Sequence, residues 1–475
     1  MAKQSNFLLI PQVDQWPRLV QRAEDPLSQI LLILISTAIL ALMKSDLDLV
    51  FLIPLLALFA RPESSHFFLA ISSVMTFLVD KSMSVPSEWL TFLGSGLSSR
   101  TFLVRFNALG LDFEFLAGKL WVLALGLGLF YLFRRNRRVI FGGSAIIGLC
   151  CTNAILYLAA SSPWLETNVR AMIWLAIVYF NRRLFWALAY IFSHRKQLRE
   201  RPFYWSLPVI TSPFSGKSHA YLERFRAKDS RTLAICRLKA VKLTLWIGFW
   251  AIVVRLASPL LKRSGWDFLP FPEFLITDEV TALYYAFLKG EAVSRLQAWW
   301  AVLLTFGLDM IILTIVHDTP VILFRLFGFC APRGIYRPFE SRSLADFFAR
   351  RYYYYKELLF DLFVMPIFLK TGFIKDRKLR TFTAIFLGVG FGSTLTHLLI
   401  EIPFLQAMGL GEFFLVFLPM ILRSFFFGLV IGLHQYGNPM SFSFIPWPRL
   451  AQSFRIILIF LFFALAKLFA PIMLT

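Results

Sequence analysis

A histidine and a glutamate lie one helical turn apart inside a 23-residue apolar segment, residues 381–403. His397 and Glu401 are four positions apart, so both side chains fall on the same face of a helix. Titratable groups are costly within hydrocarbon, and those found there usually belong to functional sites. The pair therefore predicts a functional site inside a membrane-spanning helix.

Two short motifs stand out at residues 338–351 (PFESRSLADFFARR) and 392–401 (GSTLTHLLIE). Together they resemble motifs of the membrane-bound O-acyltransferase (MBOAT) family. The wax-synthase-like branch is the most similar, since its Ser-Leu-x-Asp-Phe-Trp-x-Arg-Arg-Trp-Asn motif precedes a helix with a Met-His-Glu-type motif. The resemblance covers residues 337–403. It implies transfer of an acyl group from a thioester donor, acyl-CoA or acyl carrier protein, to a hydroxyl acceptor without a bound cofactor.

Three positions depart from the family motif. The family's two tryptophans are Phe348 and Tyr352 in this chain, and its asparagine is Tyr353. If the asparagine positions a reacting group, Tyr353 or a neighbour in the run 352–355 must replace it through a phenolic hydroxyl.

The resemblance gives His397 a role as the general base. An alcohol is a poor nucleophile at neutral pH, and a neutral imidazole can accept its proton as it attacks. Glu401 could orient the imidazole or stabilise its protonated form. The alternative is that His397 is a buried polar contact that bridges helices.

Charged residues just before the histidine helix could bind the donor. Arg350, Arg351 and Lys356 suit the phosphates of coenzyme A or of a carrier-protein phosphopantetheine, because guanidinium groups bind phosphate in a fork. The same residues could instead contact anionic lipid. Asp346 is expected to pair with one of these arginines or to cap the following helix, and a direct chemical role is the remaining alternative.

The histidine helix also carries closely spaced glycines. Gly388 and Gly392 are four residues apart, which permits close approach of a neighbouring helix. The alternative is that the missing side chains leave room for an acyl chain. The sequence does not decide between these two roles.

The composition places these residues in a multi-span membrane protein. Hydrophobic residues make up 58% of the 475 positions and charged residues only 16%, far from the average of soluble domains. The four cysteines predict neither a disulfide framework nor a zinc site, and no histidines have the spacing of metal ligands on one helical face. We therefore expect no metal. The net charge of +21 is typical of cytoplasmic loops and lipid headgroup contacts rather than of nucleic-acid binding.

The predicted fold is all-α: one polytopic membrane domain, residues 1–475, with about eleven transmembrane helices and an MBOAT-like architecture. A twelfth run, 357–370, is too short to span comfortably and is predicted to be interfacial or re-entrant. The candidate spans are 28–44, 48–61, 66–79, 115–133, 139–161, 170–193, 241–262, 298–318, 381–403, 411–436 and 452–473.

The loop charges predict the orientation. The region 194–240 contains eleven Lys or Arg residues against three acids, so it is predicted to be a basic cytoplasmic loop. The region 264–297 is acidic and is predicted to lie outside. Alternation of the spans then puts the N-terminus in the cytoplasm. The compact loops favour a bacterial inner membrane, with membrane lipids, the acyl donor, the hydroxyl acceptor and a carrier protein as the expected partners.

Two other classes compete with the acyltransferase. A multi-span glycosyltransferase that uses lipid-linked sugars would need acids in its first external loop, where Asp46 and Asp48 fall. A transporter would be expected to show two similar halves or matched broken helices, and the sequence shows neither. A membrane scaffold without catalytic activity is the third alternative.

Overall fold

The computed structural model is predominantly helical, as the sequence predicts. One antiparallel hairpin pairs strand β1 (Arg105–Phe106) with strand β2 (Leu111–Asp112). The structure describes residues 13–43, 67–69, 71, 105–106, 111–112, 124, 128, 131, 143–165, 169–170, 173–174, 177, 180–181, 185–193, 219–257, 295–338, 341, 344–408 and 410–436.

The helices are numbered here in chain order. A π-helical segment, Phe360–Val364, joins helix α9 (Tyr353–Leu359) to helix α10 (Met365–Lys370). The α-helices are α1 (Pro17–Ala23), α2 (Pro26–Met43), α3 (Gly143–Ala160), α4 (Phe185–Ser193), α5 (His219–Leu222), α6 (Ser230–Ala257), α7 (Arg295–Leu326), α8 (Leu344–Arg351), α9 (Tyr353–Leu359), α10 (Met365–Lys370), α11 (Arg377–Met408) and α12 (Leu410–Tyr436).

One helical stretch in the described part of the chain, Arg377–Leu399 of α11, is long and apolar enough to cross a membrane. A second candidate is the bent pair Pro17–Ala23 and Pro26–Leu40, whose two parts meet at 96°. The predicted spans 48–61 and 452–473 lie outside the described residues, as do most positions of 66–79 and 115–133. The architecture of about eleven spans therefore stays a prediction.

Helix α6 begins earlier than the span predicted at 241. Asp229 precedes its first turn, and the Thr232 N–H donates a hydrogen bond to Asp229 Oδ1 at 2.7 Å. Hydrogen bonds from Thr232 lower the pKa of the Asp229 carboxyl, as expected for an acid that caps a helix N-terminus. The last eleven residues of the predicted basic loop 194–240 are consequently helical.

Helix α6 packs along α7 and α2, and a disulfide fixes its first turns to the segment after α7. Cys236 of α6 is fully buried and is bonded to Cys330, 94 residues later in the chain. Cysteine spacing in the sequence did not predict this bond. Cys150 and Cys151 of α3 remain free thiols.

Helices α11 and α12 form an antiparallel hairpin whose close contact depends on glycine. A Cβ added at Gly428 would lie 2.6 Å from the Phe386 carbonyl oxygen and 3.3 Å from the Gly390 nitrogen. Both atoms belong to the backbone and cannot move aside as a side chain can. The Phe425 ring occupies the space beside Gly390 and contacts the Phe386 ring edge-on, with 5.5 Å between the ring centroids.

The opposite side of α11 packs against the π-helical segment and α9. A Cβ at Gly388 would lie 2.7 Å from Val364 Cγ2, and one at Gly392 would lie 2.6 Å from Leu359 Cδ2. The space beside both glycines is therefore filled by the chain itself. This geometry favours the helix-packing role over a passage for an acyl chain.

We expect Gly428→Ala to destabilise the protein and Gly307→Ala not to. The methyl group at residue 428 forces the α11–α12 hairpin apart, and overpacking of this kind costs about 1–3 kcal/mol. Gly307 also lies within a helix, but a methyl group added there would have nothing within 4 Å, so its replacement should stabilise by up to about 1 kcal/mol. Unfolding of both variants in detergent tests this, and equal stabilities would argue against tight packing at Gly428.

Candidate functional site

The segment between α7 and α8 is fixed by a buried carboxylate within α7, about two turns before the helix ends. Asp318 is fully buried, and its Oδ2 accepts hydrogen bonds from Arg333 Nε at 2.8 Å and Arg333 Nη2 at 2.7 Å. Its Oδ1 accepts a third from the Gly334 N–H at 3.1 Å. The Tyr353 N–H donates to the Gly334 carbonyl at 3.3 Å. The segment that leads into the MBOAT-like region is thereby attached to α9.

His397 faces an arginine on the neighbouring helix. Arg423 Nη2 of α12 lies 3.5 Å from His397 Nε2 of α11. A guanidinium group has only donors, so this long contact is a hydrogen bond only when Nε2 carries its lone pair. A hydrogen bond from Arg423 therefore requires the His397 tautomer that carries its proton on Nδ1.

Hydroxyl groups from three helices surround this pair. The Tyr355 side chain of α9 is buried and interacts with Ser393 and Thr396. Ser393 lies one turn before His397, and Thr396 is its neighbour in the chain. Ser424, next to Arg423, donates a hydrogen bond to Ser393 Oγ at 3.1 Å. The site therefore combines an imidazole, a guanidinium and several hydroxyls among apolar helices.

The tyrosine run contributes to this site through Tyr352 and Tyr355. Both side chains interact electrostatically with Arg423, and Tyr352 separates α8 from α9. The structure thus brings the two motifs of the sequence resemblance together, one from α8 and α9 and the other from α11.

Tyr353, which occupies the family's asparagine position, faces a different cluster. Its hydroxyl donates to Glu357 Oε1 at 3.0 Å, and the Tyr221 hydroxyl donates to the other oxygen of the same carboxylate. Burial, followed by the hydrogen bond to Glu357, raises the pKa of Tyr221. Burial likewise raises the pKa of Tyr353, and the Glu357 charge adds to this effect. Both phenols therefore stay protonated and donate to Glu357.

Glu401 lies in the same helix as His397, one turn further along. Its backbone position agrees with the shared face predicted from the sequence. The Glu401 side chain lies outside the described part of the structure, so its role as a supporting carboxylate stays a prediction.

Asp346 and Arg350 form an ion pair within α8. Arg350 Nε donates to Asp346 Oδ1 at 2.8 Å, and the side chains of Arg350 and Asp346 are 27% and 32% exposed. Arg350 Nη1 also contacts the Arg337 carbonyl at 3.5 Å. Arg337 has φ of 46°, a left-handed conformation that is costly for a residue with a side chain. The pairing of Asp346 with a neighbouring arginine matches one of its predicted roles.

The other two predicted donor-binding cations lie in different surroundings. Arg351 is only 6% exposed, has its guanidinium 4.9 Å from the Tyr352 ring centroid and interacts electrostatically with His317. Lys356 is half-buried, with its Nζ 5.2 Å from the Tyr353 ring centroid. The adjacent residues Arg350 and Arg351 thus differ sharply in their access to solvent.

Arg423 is the site residue that sequence reasoning missed. A signal for it was present, because it is the only Lys or Arg in the apolar run 411–436, and a basic residue in the middle of such a run indicates function. Its partner could not be read from the sequence, since the register between α11 and α12 decides which residue it meets.

Comparison of the chain with protein-family models, curated proteins and solved structures finds no match. Among the described residues, no three metal-ligating side chains converge on one point. Asp46 and Asp48, the acids of the glycosyltransferase alternative, lie outside the described residues. Function therefore has to be argued from the geometry around His397.

Proposed function

We propose that this chain is a polytopic membrane O-acyltransferase of the MBOAT type. His397 accepts the proton of a hydroxyl acceptor while that oxygen attacks the carbonyl carbon of a thioester. The donor is an acyl-CoA or an acyl carrier protein. The proposed location is a bacterial inner membrane, which the compact loops favour. The charges of the loops place the N-terminus in the cytoplasm.

The observation that carries this proposal is the position of His397 Nε2, 3.5 Å from the Arg423 guanidinium, in a region where Ser393 and Ser424 place hydroxyl groups. A general base needs a lone pair and a protected position near the reacting groups. A histidine that only bridges helices needs neither an adjacent cation nor a nearby tyrosine hydroxyl. The convergence of Tyr355 with α11 therefore supports a chemical role more than a packing role.

The donor is proposed to approach past α8 and α9. Arg350 and Lys356 are more accessible than Arg351, so they are the better candidates for contact with the donor's phosphates. Arg351, which lies against Tyr352, is better suited to fixing the tyrosine that faces Arg423. Anionic lipid remains the alternative ligand for the two accessible cations.

The proposal is tested by following both products of acyl transfer. The purified protein in detergent is incubated with radiolabelled acyl-CoAs of several chain lengths, or with matching acyl carrier proteins, together with a total lipid extract. We expect free thiol and an alkali-labile labelled ester to appear in equal amounts. Heat-denatured protein and omission of the lipid extract are the controls.

Three results would count against acyl transfer to a hydroxyl. Thiol release without a labelled product would mean simple hydrolysis of the thioester. Absence of thiol release with every donor would favour the scaffold or transporter alternatives. A labelled product that resists alkali would point to a different acceptor atom, and a labelled ester would identify the acceptor by its mass.

A further inference from the structure

Arg423 is a cation in an apolar helix with no carboxylate partner among the described side chains. It contacts His397 Nε2 and interacts electrostatically with Tyr352 and Tyr355. Removing a charge from water costs several kcal/mol unless an opposite charge or strong hydrogen bonds replace the water. A guanidinium beside an imidazole within apolar helices is suited to a site where negative charge develops during a reaction.

The short distance between Arg423 and His397 allows the two side chains to act on two different oxygens of the same reaction. When an alcohol attacks a thioester, the attacking oxygen and the carbonyl oxygen become bonded to the same carbon. A base for the first oxygen and a donor for the second must therefore lie close to each other. Nη2 of Arg423 and Nε2 of His397 are 3.5 Å apart, and the reacting carbon can sit beside both.

We propose that Arg423 is a catalytic residue that stabilises the oxyanion formed during acyl transfer. This inference rests on the proposed function. The acceptor hydroxyl gives its proton to Nε2 as its oxygen bonds to the carbonyl carbon, and the carbonyl electron pair moves onto the oxygen that faces Arg423. The carbonyl then re-forms as the carbon–sulfur bond breaks, the bonding electron pair leaves with sulfur, and the thiolate takes the proton from the imidazolium. The products are an ester and a thiol.

In the absence of substrate, the contact between Arg423 and His397 keeps the base blocked in this scheme. While Arg423 donates to Nε2, the lone pair that His397 needs as a base is occupied. Substrate binding must break the contact, and the carbonyl oxygen then replaces Nε2 as the acceptor. The several N–H groups of the guanidinium allow this exchange with little movement of Arg423. The 3.5 Å separation is already at the long limit of a hydrogen bond.

The test compares Arg423→Gln and Arg423→Lys with the wild type in the thioester assay. Loss of one oxyanion donor lowers kcat by roughly 10²–10³-fold, while the KM values for donor and acceptor should stay near those of the wild type. Lysine keeps the positive charge but lacks the planar, multiple N–H donors of the guanidinium. The kcat of Arg423→Lys should therefore lie between those of Arg423→Gln and the wild type. Guanidinium ion added at millimolar concentration should partly rescue Arg423→Ala but not His397→Ala.

Arg380→Gln is the matched control. Arg380 lies on α11 and donates to the Phe368 carbonyl at 2.8 Å, so the same chemical change is made away from His397. Each variant is first checked for the elution volume and the thermal unfolding midpoint of the wild type. If Arg423→Gln does not fold, the comparison is made with Arg423→Lys.

The outcomes separate this inference from the proposed function. A wild-type kcat in Arg423→Gln would overturn the oxyanion role while leaving acyl transfer intact. A raised donor KM with unchanged kcat would overturn it too and make Arg423 a binding group for the donor. A wild type without acyl transfer in any donor combination would overturn the proposed function, and the oxyanion role with it.

Discussion

Replacing His397 with alanine is expected to lower the rate of acyl transfer by roughly 10²–10⁴-fold, the usual contribution of a general base. In the proposed mechanism the imidazole accepts the proton of the attacking hydroxyl through Nε2, the nitrogen that lies 3.5 Å from Arg423 Nη2. The measurement is the initial rate of thiol release and ester formation by wild type and variant at equal protein concentration.

His434→Ala is the matched control for this substitution. His434 lies in the last turn of α12, on the same helical hairpin as Arg423, so both variants remove an imidazole from the α11–α12 hairpin. The control variant should keep a rate near that of the wild type. Equal thiol release by wild type and His397→Ala would remove the histidine from the chemistry.

The pH dependence provides a second readout of the same role. Protonated imidazole has no lone pair, so the wild-type rate should fall as the pH is lowered. The residual rate of His397→Ala should lack this acid limb. An acid limb that persists unchanged in His397→Ala would assign it to another group.

The sequence predicted the histidine helix well because its signals are local. A long apolar run identifies α11, and the spacing of His397 and Glu401 depends only on helical geometry. The close packing at Gly388 and Gly392 is likewise a property of small residues four positions apart. For Gly388 the partner is Val364 of the π-helical segment, an element that has no clear sequence signature.

Contacts between helices could not be predicted in the same way. The pairing of Arg423 with His397 depends on how far α12 slides along α11, and this is determined where the backbones meet at Gly428 and Phe386. A single sequence gives no measure of that register, because it carries no covariation between contacting positions.

The directions of the side chains in the tyrosine run 352–355 also could not be assigned from the motif. Tyr353 and Tyr355 are two residues apart on one short helix, so they point in different directions: Tyr353 toward Glu357 and Tyr355 toward Ser393. The sequence resemblance aligns the family's asparagine with Tyr353, whereas the tyrosine directed toward the histidine helix is Tyr355. The motif alone therefore could not predict which tyrosine of the run faces α11.

The buried Asp318–Arg333 pair should make the largest contribution to stability among the described ion pairs. Asp318→Asn keeps the shape of the side chain but leaves the Arg333 guanidinium without its opposite charge. Removal of one partner from a buried pair costs about 3–5 kcal/mol. Arg333 retains 21% exposure and can regain some water, so we expect a loss of about 3 kcal/mol. The free energy of unfolding in mixed micelles measures this loss.

Asp346→Asn provides the matched comparison, because it makes the same change in the Asp346–Arg350 pair. That pair joins positions four apart on one helix and is partly exposed on both sides, so its loss should cost only about 0.3–0.5 kcal/mol. The double variant Asp318→Asn with Arg333→Gln separates the two contributions to the buried pair. It removes the uncompensated charge, so it should be more stable than Asp318→Asn alone. A double variant that is less stable than Asp318→Asn would mean that Arg333 stabilises the fold by contacts other than the carboxylate.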